Sequence, residues 1–374
     1  MNPRSQAATP RISSLPALAW NVVAIAIVLM ARPLPVHCQL SKPSCGLTNP
    51  RAIVFSPATR KVYVVDTARG TVQIYSDSSG QMHQVKAGFE PVSVAVNAAN
   101  GKAYVANAGD GTITVLDGNS DAVVARVPIG SHPYSIAVNS ATGKVYVTHT
   151  FGDQLSILDG ATTTATDLNT GSSDLIAIDS ARAVIYLLGY GGAVKVLDGI
   201  SQKITEVPVG KHAWGLTMNE ATAAVYVTRI EDADVAAIAP GSPNLMTLPA
   251  GEIPCAIAVD SKTDTLYVAN YGDNAVSVVN AATGRKTATI PVGRHPKAIA
   301  FDASRNLVYV ANTSDGTVTV VDPTSDGVVA TLPAGKNPYA LAVVPGSSRL
   351  YVANEDDSNP STVVGLQGMR RASP

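Results

Sequence analysis

The sequence has no basic excess, few aromatic residues and none of the common catalytic motifs. Its 27 Lys and Arg are balanced by 28 Asp and Glu, whereas nucleic-acid-binding proteins usually carry a basic face. Motifs for a serine nucleophile elbow, a phosphate-binding loop, a zinc protease or a haem attachment are missing. Only six glutamates occur, and no pair of them forms a recognisable acid–base site. We therefore predict no catalytic residue, no resident metal and no cofactor.

A repeat of about 41 residues runs through the chain. Each period holds four short apolar runs separated by Gly, Asp, Asn and Pro, and Val, Ile, Tyr and Thr dominate the runs, as is typical of strands joined by tight turns. Four antiparallel strands per period make one propeller blade. The periods are marked by Tyr63, Tyr104, Tyr146, Tyr186, Tyr226, Tyr267, Tyr309 and Tyr351, which lie 41, 42, 40, 40, 41, 42 and 42 residues apart.

The spacing predicts an all-β protein with a single β-propeller. Eight inner strands can be counted, which indicates eight four-stranded blades, and seven blades are the alternative. The last repeat has no outer strand of its own, so we expect residues 39–49 to act as a closing arm that supplies it. The propeller then covers residues 50–367, and residues 368–374 form a disordered tail.

At the tyrosine positions the chain reads YVVD, YVAN, YVTH, YLLG, YVTR, YVAN, YVAN and YVAN. In this it resembles the YVTN-motif family of β-propellers over about residues 49–367, and repeats two, six and seven match best. The resemblance implies an exported propeller of the surface-layer or periplasmic type. It does not assign an activity, because such propellers serve as surface modules, binding proteins and enzyme scaffolds.

Residues 1–38 differ from the repeats. They carry three arginines and no acidic residue, and their apolar stretch from Val22 to Ala31 is too short to span a bilayer. We predict a signal peptide that is cleaved after Cys38, with export to the periplasm or the cell surface. An uncleaved membrane anchor over Leu15 to Ala31 and lipid attachment at Cys38 are the alternatives.

Cleavage would leave two cysteines, Cys45 and Cys255. They could pair in an oxidising compartment. However, Cys45 falls in the closing arm and Cys255 on the sixth inner strand, whereas a disulfide requires α-carbons within about 7 Å. We therefore predict two isolated thiols.

The loops that enter the inner strands carry the residues best suited to recognition. Aligning their prolines puts histidine at one ring position in repeats three, five and seven. Two positions later stand aromatic residues in repeats three, five and eight, in a chain with only 5% aromatics. Aromatic rings and imidazoles suit ligand contacts. We predict a binding site at this mouth of the central channel, formed by Glu90, His132, Tyr134, His212, Trp214, His295, Lys297, Asn337 and Tyr339.

Two other interpretations of this mouth stay open. The residues could simply pack the loops, with each histidine bonded to a neighbouring carbonyl. The second interpretation is a metal site. However, we expect alternate blades to lie too far apart for three histidines to reach one zinc ion, whose bonds to nitrogen are about 2.0 Å.

Together these features predict an exported, monomeric, non-catalytic binding or scaffold module that engages an envelope protein or a glycan through the mouth. A propeller enzyme, such as a lactone hydrolase or a relative of cofactor-dependent dehydrogenases, is the first alternative. A nucleic-acid-binding propeller is the second, and contact with a membrane is expected only through an uncleaved N-terminal segment.

Overall fold

The chain folds as a ring of antiparallel β-sheets, each built from consecutive strands. The computed structural model describes residues 52–355, except positions 151, 190, 211, 243 and 348, and residues 361–365. Within these ranges no helix is long and apolar enough to cross a membrane. Seven four-stranded sheets form blades one to seven, and a three-stranded sheet, here called the closing sheet, follows them. The predicted all-β propeller with four-stranded blades is confirmed.

The strands run in chain order from the inside of each blade to its outside. Blades one to three comprise β1 (Ile53–Ser56), β2 (Lys61–Asp66), β3 (Thr71–Ser76), β4 (Met82–Lys86), β5 (Pro91–Val96), β6 (Ala103–Asn107), β7 (Thr112–Leu116), β8 (Val123–Pro128), β9 (Pro133–Val138), β10 (Lys144–His149), β11 (Gln154–Asp159) and β12 (Ala165–Asn169). Blades four and five comprise β13 (Leu175–Asp179), β14 (Val184–Leu188), β15 (Ala193–Asp198), β16 (Ile204–Pro208), β17 (Ala213–Met218), β18 (Val225–Arg229), β19 (Asp234–Ile238) and β20 (Leu245–Pro249). Blades six and seven and the closing sheet comprise β21 (Pro254–Asp260), β22 (Thr265–Asn270), β23 (Ala275–Asn280), β24 (Arg285–Pro291), β25 (Pro296–Asp302), β26 (Leu307–Asn312), β27 (Thr317–Asp322), β28 (Gly327–Pro333), β29 (Pro338–Val343), β30 (Arg349–Asn354) and β31 (Ser361–Gly365).

The number of blades depends on whether the three-stranded closing sheet is counted as one. Seven sheets are complete four-stranded blades, so the alternative prediction of seven blades is confirmed and the first prediction of eight four-stranded blades is wrong. In the described part of the chain, the eighth sheet has three strands, and its inner strand β29 packs against β25 on one side and β1 on the other. The closing arm predicted at residues 39–49 lies outside the described residues. So do the predicted signal peptide at 1–38 and the predicted disordered tail at 368–374.

Ring closure is held by contacts between the closing sheet and blade one. The Arg349 guanidinium donates a hydrogen bond to the backbone carbonyl of Asp77 (3.1 Å), and the Ser347 hydroxyl donates to the Asp77 carboxylate. The ring of Tyr351 meets that of Tyr75 with centroids 5.5 Å apart. These residues are about 270 positions apart in sequence, so the contacts tie the two ends of the repeat together.

The regularly spaced tyrosines join each blade to the next. The Tyr226 hydroxyl of blade five donates to the Asp264 carboxylate of blade six (2.8 Å). The ring of Tyr267 stacks on Phe301 of blade seven with centroids 5.8 Å apart. The tyrosine period is therefore the period of the contact between blades.

The asparagine that ends the YVAN motif locks the second strand to the third. In blade seven the buried amide of Asn312 donates to the hydroxyls of Thr317 (3.0 Å) and Thr319 (2.8 Å). Gly293, in the loop that leads to the inner strand, lies directly against this amide: a β-carbon at Gly293 would stand 2.6 Å from the Asn312 Cγ. We call this pair the Asn–Gly lock. The same pairing occurs between Asn107 and Gly88 and between Asn270 and Gly251.

Candidate functional site

The loops that enter the inner strands and the turns between the second and third strands share one face of the ring. This follows because the four strands of a blade alternate in direction. We call it the mouth face. Every predicted site residue lies in or beside a loop of this face, so the candidate site is defined by how these loops present their side chains.

Six of the loops hold their ring-position residue in the left-handed backbone conformation. These residues are Glu90 (φ 50°), His132 (54°), His212 (56°), Ile253 (52°), His295 (54°) and Asn337 (51°). Each carbonyl accepts a hydrogen bond from the amide of the residue just after the tyrosine strand, as from Thr150 to His132 (2.9 Å) and from Thr313 to His295 (3.1 Å). One backbone geometry therefore recurs around the mouth.

The three predicted histidines occupy three separate blades, and two of them, His212 and His295, have side-chain partners of different kinds. The Nδ1 of exposed His212 lies 2.8 Å from a carboxylate oxygen of Glu231. His295 is half-buried, with its Nδ1 2.6 Å from the Ser314 hydroxyl, and its ring stacks on Tyr271 with centroids 4.3 Å apart. His132 is exposed. Among the described residues no group of three or more His, Cys, Asp or Glu side chains is placed to hold a metal ion.

The side chains two positions further along were expected to face a partner, and here the expectation needs correction. Tyr134 and Tyr339 are 9% and 1% exposed and pack in the cores between blades, Tyr339 among residues of blade one. Trp214 is half-buried, and its indole N–H is buried without a hydrogen-bond partner among the described residues. Side chains alternate between the faces of a strand, and each face of an inner strand meets a neighbouring blade. The aromatic positions therefore serve packing between the blades.

Among the predicted site residues, Lys297 is the one whose charged side chain is buried between the blades. It is 5% exposed, and its ammonium lies 3.9 Å from the carboxylate of Glu355 in the closing sheet. Burial lowers the pKa of Lys297, while the neighbouring carboxylate opposes that shift. Lys297 therefore joins blade seven to the closing sheet beneath the mouth.

A cleft opens on the mouth face where blades five, six and seven meet. Its volume is about 220 Å³, and it is lined by Ile230, Ala233, Glu252, Ile253, Tyr271, Gly272 and His295. Of these, only His295 is in the predicted site. The others escape sequence reasoning because the cleft combines the entry loops of blades six and seven with the turns of blades five and six. The isoleucine at a ring position that is otherwise mostly polar was the one signal available.

Cys255 corrects a second prediction. It is disulfide-bonded, and its partner lies outside the described residues. The prediction of two isolated thiols is therefore wrong for Cys255. It assumed a position for Cys45 beside blade one, and sequence alone could not fix where the segment before the first blade runs.

Among the residues that the structure describes, Glu220 on the opposite face has the carboxyl group with the most strongly shifted pKa. It follows β17 at the end of the inner strand, where desolvation by the surrounding protein and then the charge of Asp179 raise its pKa to about 7. Its side chain nevertheless remains accessible to solvent. A carboxyl whose pKa is raised in the folded state opposes folding once it ionises.

We expect Glu220→Gln to stabilise the protein at pH 8 and to have little effect at pH 4.5. The unfavourable contribution is absent below the ordinary pKa of 4.5 and is complete above about 7. Allowing for solvent screening, we expect a gain of about 1 kcal/mol at pH 8. Urea unfolding at both pH values measures it, with the exposed Glu206→Gln as the control. An equal effect of Glu220→Gln at the two pH values would contradict the assignment.

Comparison with known proteins supports the fold. The sequence model for YNCE-like β-propellers matches residues 228–363, from blade five to the closing sheet. The chain shares a propeller fold with that family. Hydrazine synthase of Kuenenia stuttgartiensis is similar in structure, with a TM-score of 0.59 and 16% identity over 88% of this chain and 99% of that one. At this identity the likeness concerns the fold alone. A search of curated proteins gives no match.

Proposed function

We propose that this propeller is a non-catalytic binding or scaffold module that engages a protein or glycan partner through its mouth face. The observation that carries the proposal is the chemistry of the six left-handed loop positions. Glycine adopts this conformation without steric cost, whereas other residues pay of the order of 1 kcal/mol. Five of the six positions nevertheless carry histidine, glutamate or asparagine.

A loop needed only for its shape can be served by glycine or alanine, as at Gly192, Ala183 and Ala223. Glu90, His132 and His212 are all exposed, so their side chains add little packing that could offset the backbone cost. Histidine and asparagine tolerate the left-handed region better than most residues, which makes them suitable where a polar side chain must be displayed from such a loop. Contact with a partner is the simplest function for a ring of displayed polar groups.

We also propose that the protein is exported to the periplasm or the cell surface. The basic, apolar N-terminal segment supports this location, and the disulfide at Cys255 supports it independently. Disulfides form and persist in oxidising compartments and are rare in the cytosol of most organisms. A partner in the cell envelope is therefore the expected kind.

The proposal is tested by partner capture with a variant that changes mouth side chains but not loop geometry. Glu90, His132 and His212 are each replaced by asparagine, which Asn337 shows to be compatible with this position (φ 51°). We expect the unchanged protein to capture a specific envelope component. The triple variant should capture at least ten-fold less of it. The readout is quantitative mass spectrometry of the captured material.

A matched control carries Gln202→Asn and Asp326→Asn, two exposed left-handed positions on the opposite face. We expect it to capture the same component as the unchanged protein. Equal capture by the mouth variant, with unchanged thermal unfolding, would move recognition away from the mouth face. Loss in both variants would contradict the proposed assignment of the face.

A further inference from the structure

The cleft between blades five, six and seven has the walls of a site for one long side chain. Ile230 and Ala233 of blade five form an apolar side, and the stacked rings of Tyr271 and His295 form another. Glu252 supplies the carboxylate of the lining. The backbone of Glu252 is held by the hydrogen bond from its amide to the Asp273 carboxylate (2.7 Å), and Gly272 leaves room for it, because a β-carbon at Gly272 would lie 2.9 Å from the β-carbon of Glu252.

The apolar residue Ile253 completes the lining under unusual strain. It holds φ at 52° and is 6% exposed. For a β-branched residue the left-handed conformation is a genuine outlier, and such outliers persist only where the surrounding structure over-determines them. The equivalent loops carry polar residues, whereas the Ile253 side chain packs in the hydrophobic core at the wall of the cleft.

The charge around the cleft is mainly negative. The two turns and two loops that form it carry Glu231, Asp232, Asp234, Glu252 and Asp273. Of the two guanidiniums there, Arg229 already binds Asp232 (3.2 Å) and Asp234 (2.6 Å), and Arg294 already binds Asp315 (2.6 Å). Glu231 lies against His212. Within the described residues the Glu252 carboxylate makes no ion pair, so it is the group available to an incoming positive charge.

We infer that this cleft receives the side chain of one arginine presented by a protein partner; the inference rests on the proposed binding function. A volume of about 220 Å³ is below the roughly 300 Å³ at which pockets for drug-sized ligands begin, and fits a single side chain. A guanidinium stacks on aromatic rings and pairs with a carboxylate through two hydrogen bonds, while its aliphatic stem packs on apolar walls. The cleft offers each of these three contacts.

The test is binding of a fluorescein-labelled peptide, acetyl-Gly-Ser-Arg-Ser-Gly-amide, to the purified protein by fluorescence anisotropy. A second peptide carries citrulline, which keeps the shape of arginine without its charge. We expect the arginine peptide to bind about ten-fold more tightly than the citrulline peptide. Equal binding of the two, or equal binding of a lysine peptide, would overturn the assignment to arginine.

Two variants locate the binding. Glu252→Gln should reduce the affinity for the arginine peptide to that of the citrulline peptide, whereas Glu206→Gln, an exposed acid on the outer strand β16, should leave it unchanged. Because Glu252 is exposed, both variants should unfold at the same temperature as the unchanged protein. An unchanged affinity in Glu252→Gln would exclude the cleft.

Two further comparisons separate this inference from the function on which it rests. Free L-arginine should bind less tightly than the blocked peptide, because its own carboxylate meets an acidic rim; tighter binding of the free amino acid would overturn the assignment to a protein partner. If the mouth variant loses its captured component while Glu252→Gln leaves peptide binding intact, the binding function stands and the arginine inference fails.

Discussion

Tyr309→Ala is expected to lower the free energy of unfolding by about 3–5 kcal/mol, the cost typical of removing a large ring from a core. Tyr309 is fully buried and packs in a cluster that joins blade seven to Leu341 and Val352 of the closing sheet. Its removal leaves a cavity at a contact between sheets, where strands paired on both sides have little freedom to collapse. Urea unfolding followed by circular dichroism measures the change.

Tyrosine-to-phenylalanine variants separate the ring from the hydroxyl. The Tyr309 hydroxyl is buried and has no hydrogen-bond partner among the described residues, so Tyr309→Phe should change stability by less than about 0.5 kcal/mol. Tyr226→Phe should cost about 1 kcal/mol more, because it removes the hydrogen bond to Asp264. If Tyr309→Phe cost as much as Tyr309→Ala, the hydroxyl and not the ring would make the decisive contact.

The fold could be predicted because every repeat has to bury the same apolar faces against its neighbours. A blade cannot bury its own faces, so each must present a matching surface to the next, and the tyrosines at about 41-residue intervals are those surfaces. Tyr226 and Tyr267 show the contact directly. Ring closure could not be predicted in the same way, since it depends on contacts such as Arg349 with Asp77 that occur once and follow no period.

The sequence predicted which loop positions form the candidate site, but it predicted less well which of their side chains are exposed there. Aligning the prolines identified a ring position that six loops share. The same alignment could not tell that Tyr134 and Tyr339 turn into the contacts between blades, because that depends on where each strand begins relative to its neighbour. Ile253 was passed over because it is apolar, and Tyr271 because it lies in the turn after β22 and not in an aligned loop. A cleft formed by three blades has no contiguous sequence signal.

The Asn–Gly lock explains why the YVAN motif needs a particular partner elsewhere in the repeat, and Gly293→Ala tests it. The new β-carbon would lie 2.6 Å from both Cγ and Nδ2 of Asn312, so the buried amide must move away from Thr317 and Thr319. We expect a loss of about 1–3 kcal/mol in the free energy of unfolding, the usual cost of overpacking a core. Differential scanning calorimetry would show it as a lower melting temperature.

A glycine outside the lock should behave in the opposite way. Gly191 has no atom within 4 Å of its would-be β-carbon, so Gly191→Ala should be neutral or stabilise the protein by up to about 1 kcal/mol through the unfolded chain. Adding Asn312→Ala to Gly293→Ala gives a double-mutant cycle: if the two residues act as one unit, their combined cost falls short of the sum of the single costs by at least about 0.5 kcal/mol. Strict additivity would mean that the glycine is required by its loop alone, and that the motif asparagine acts only through its two threonine hydroxyls.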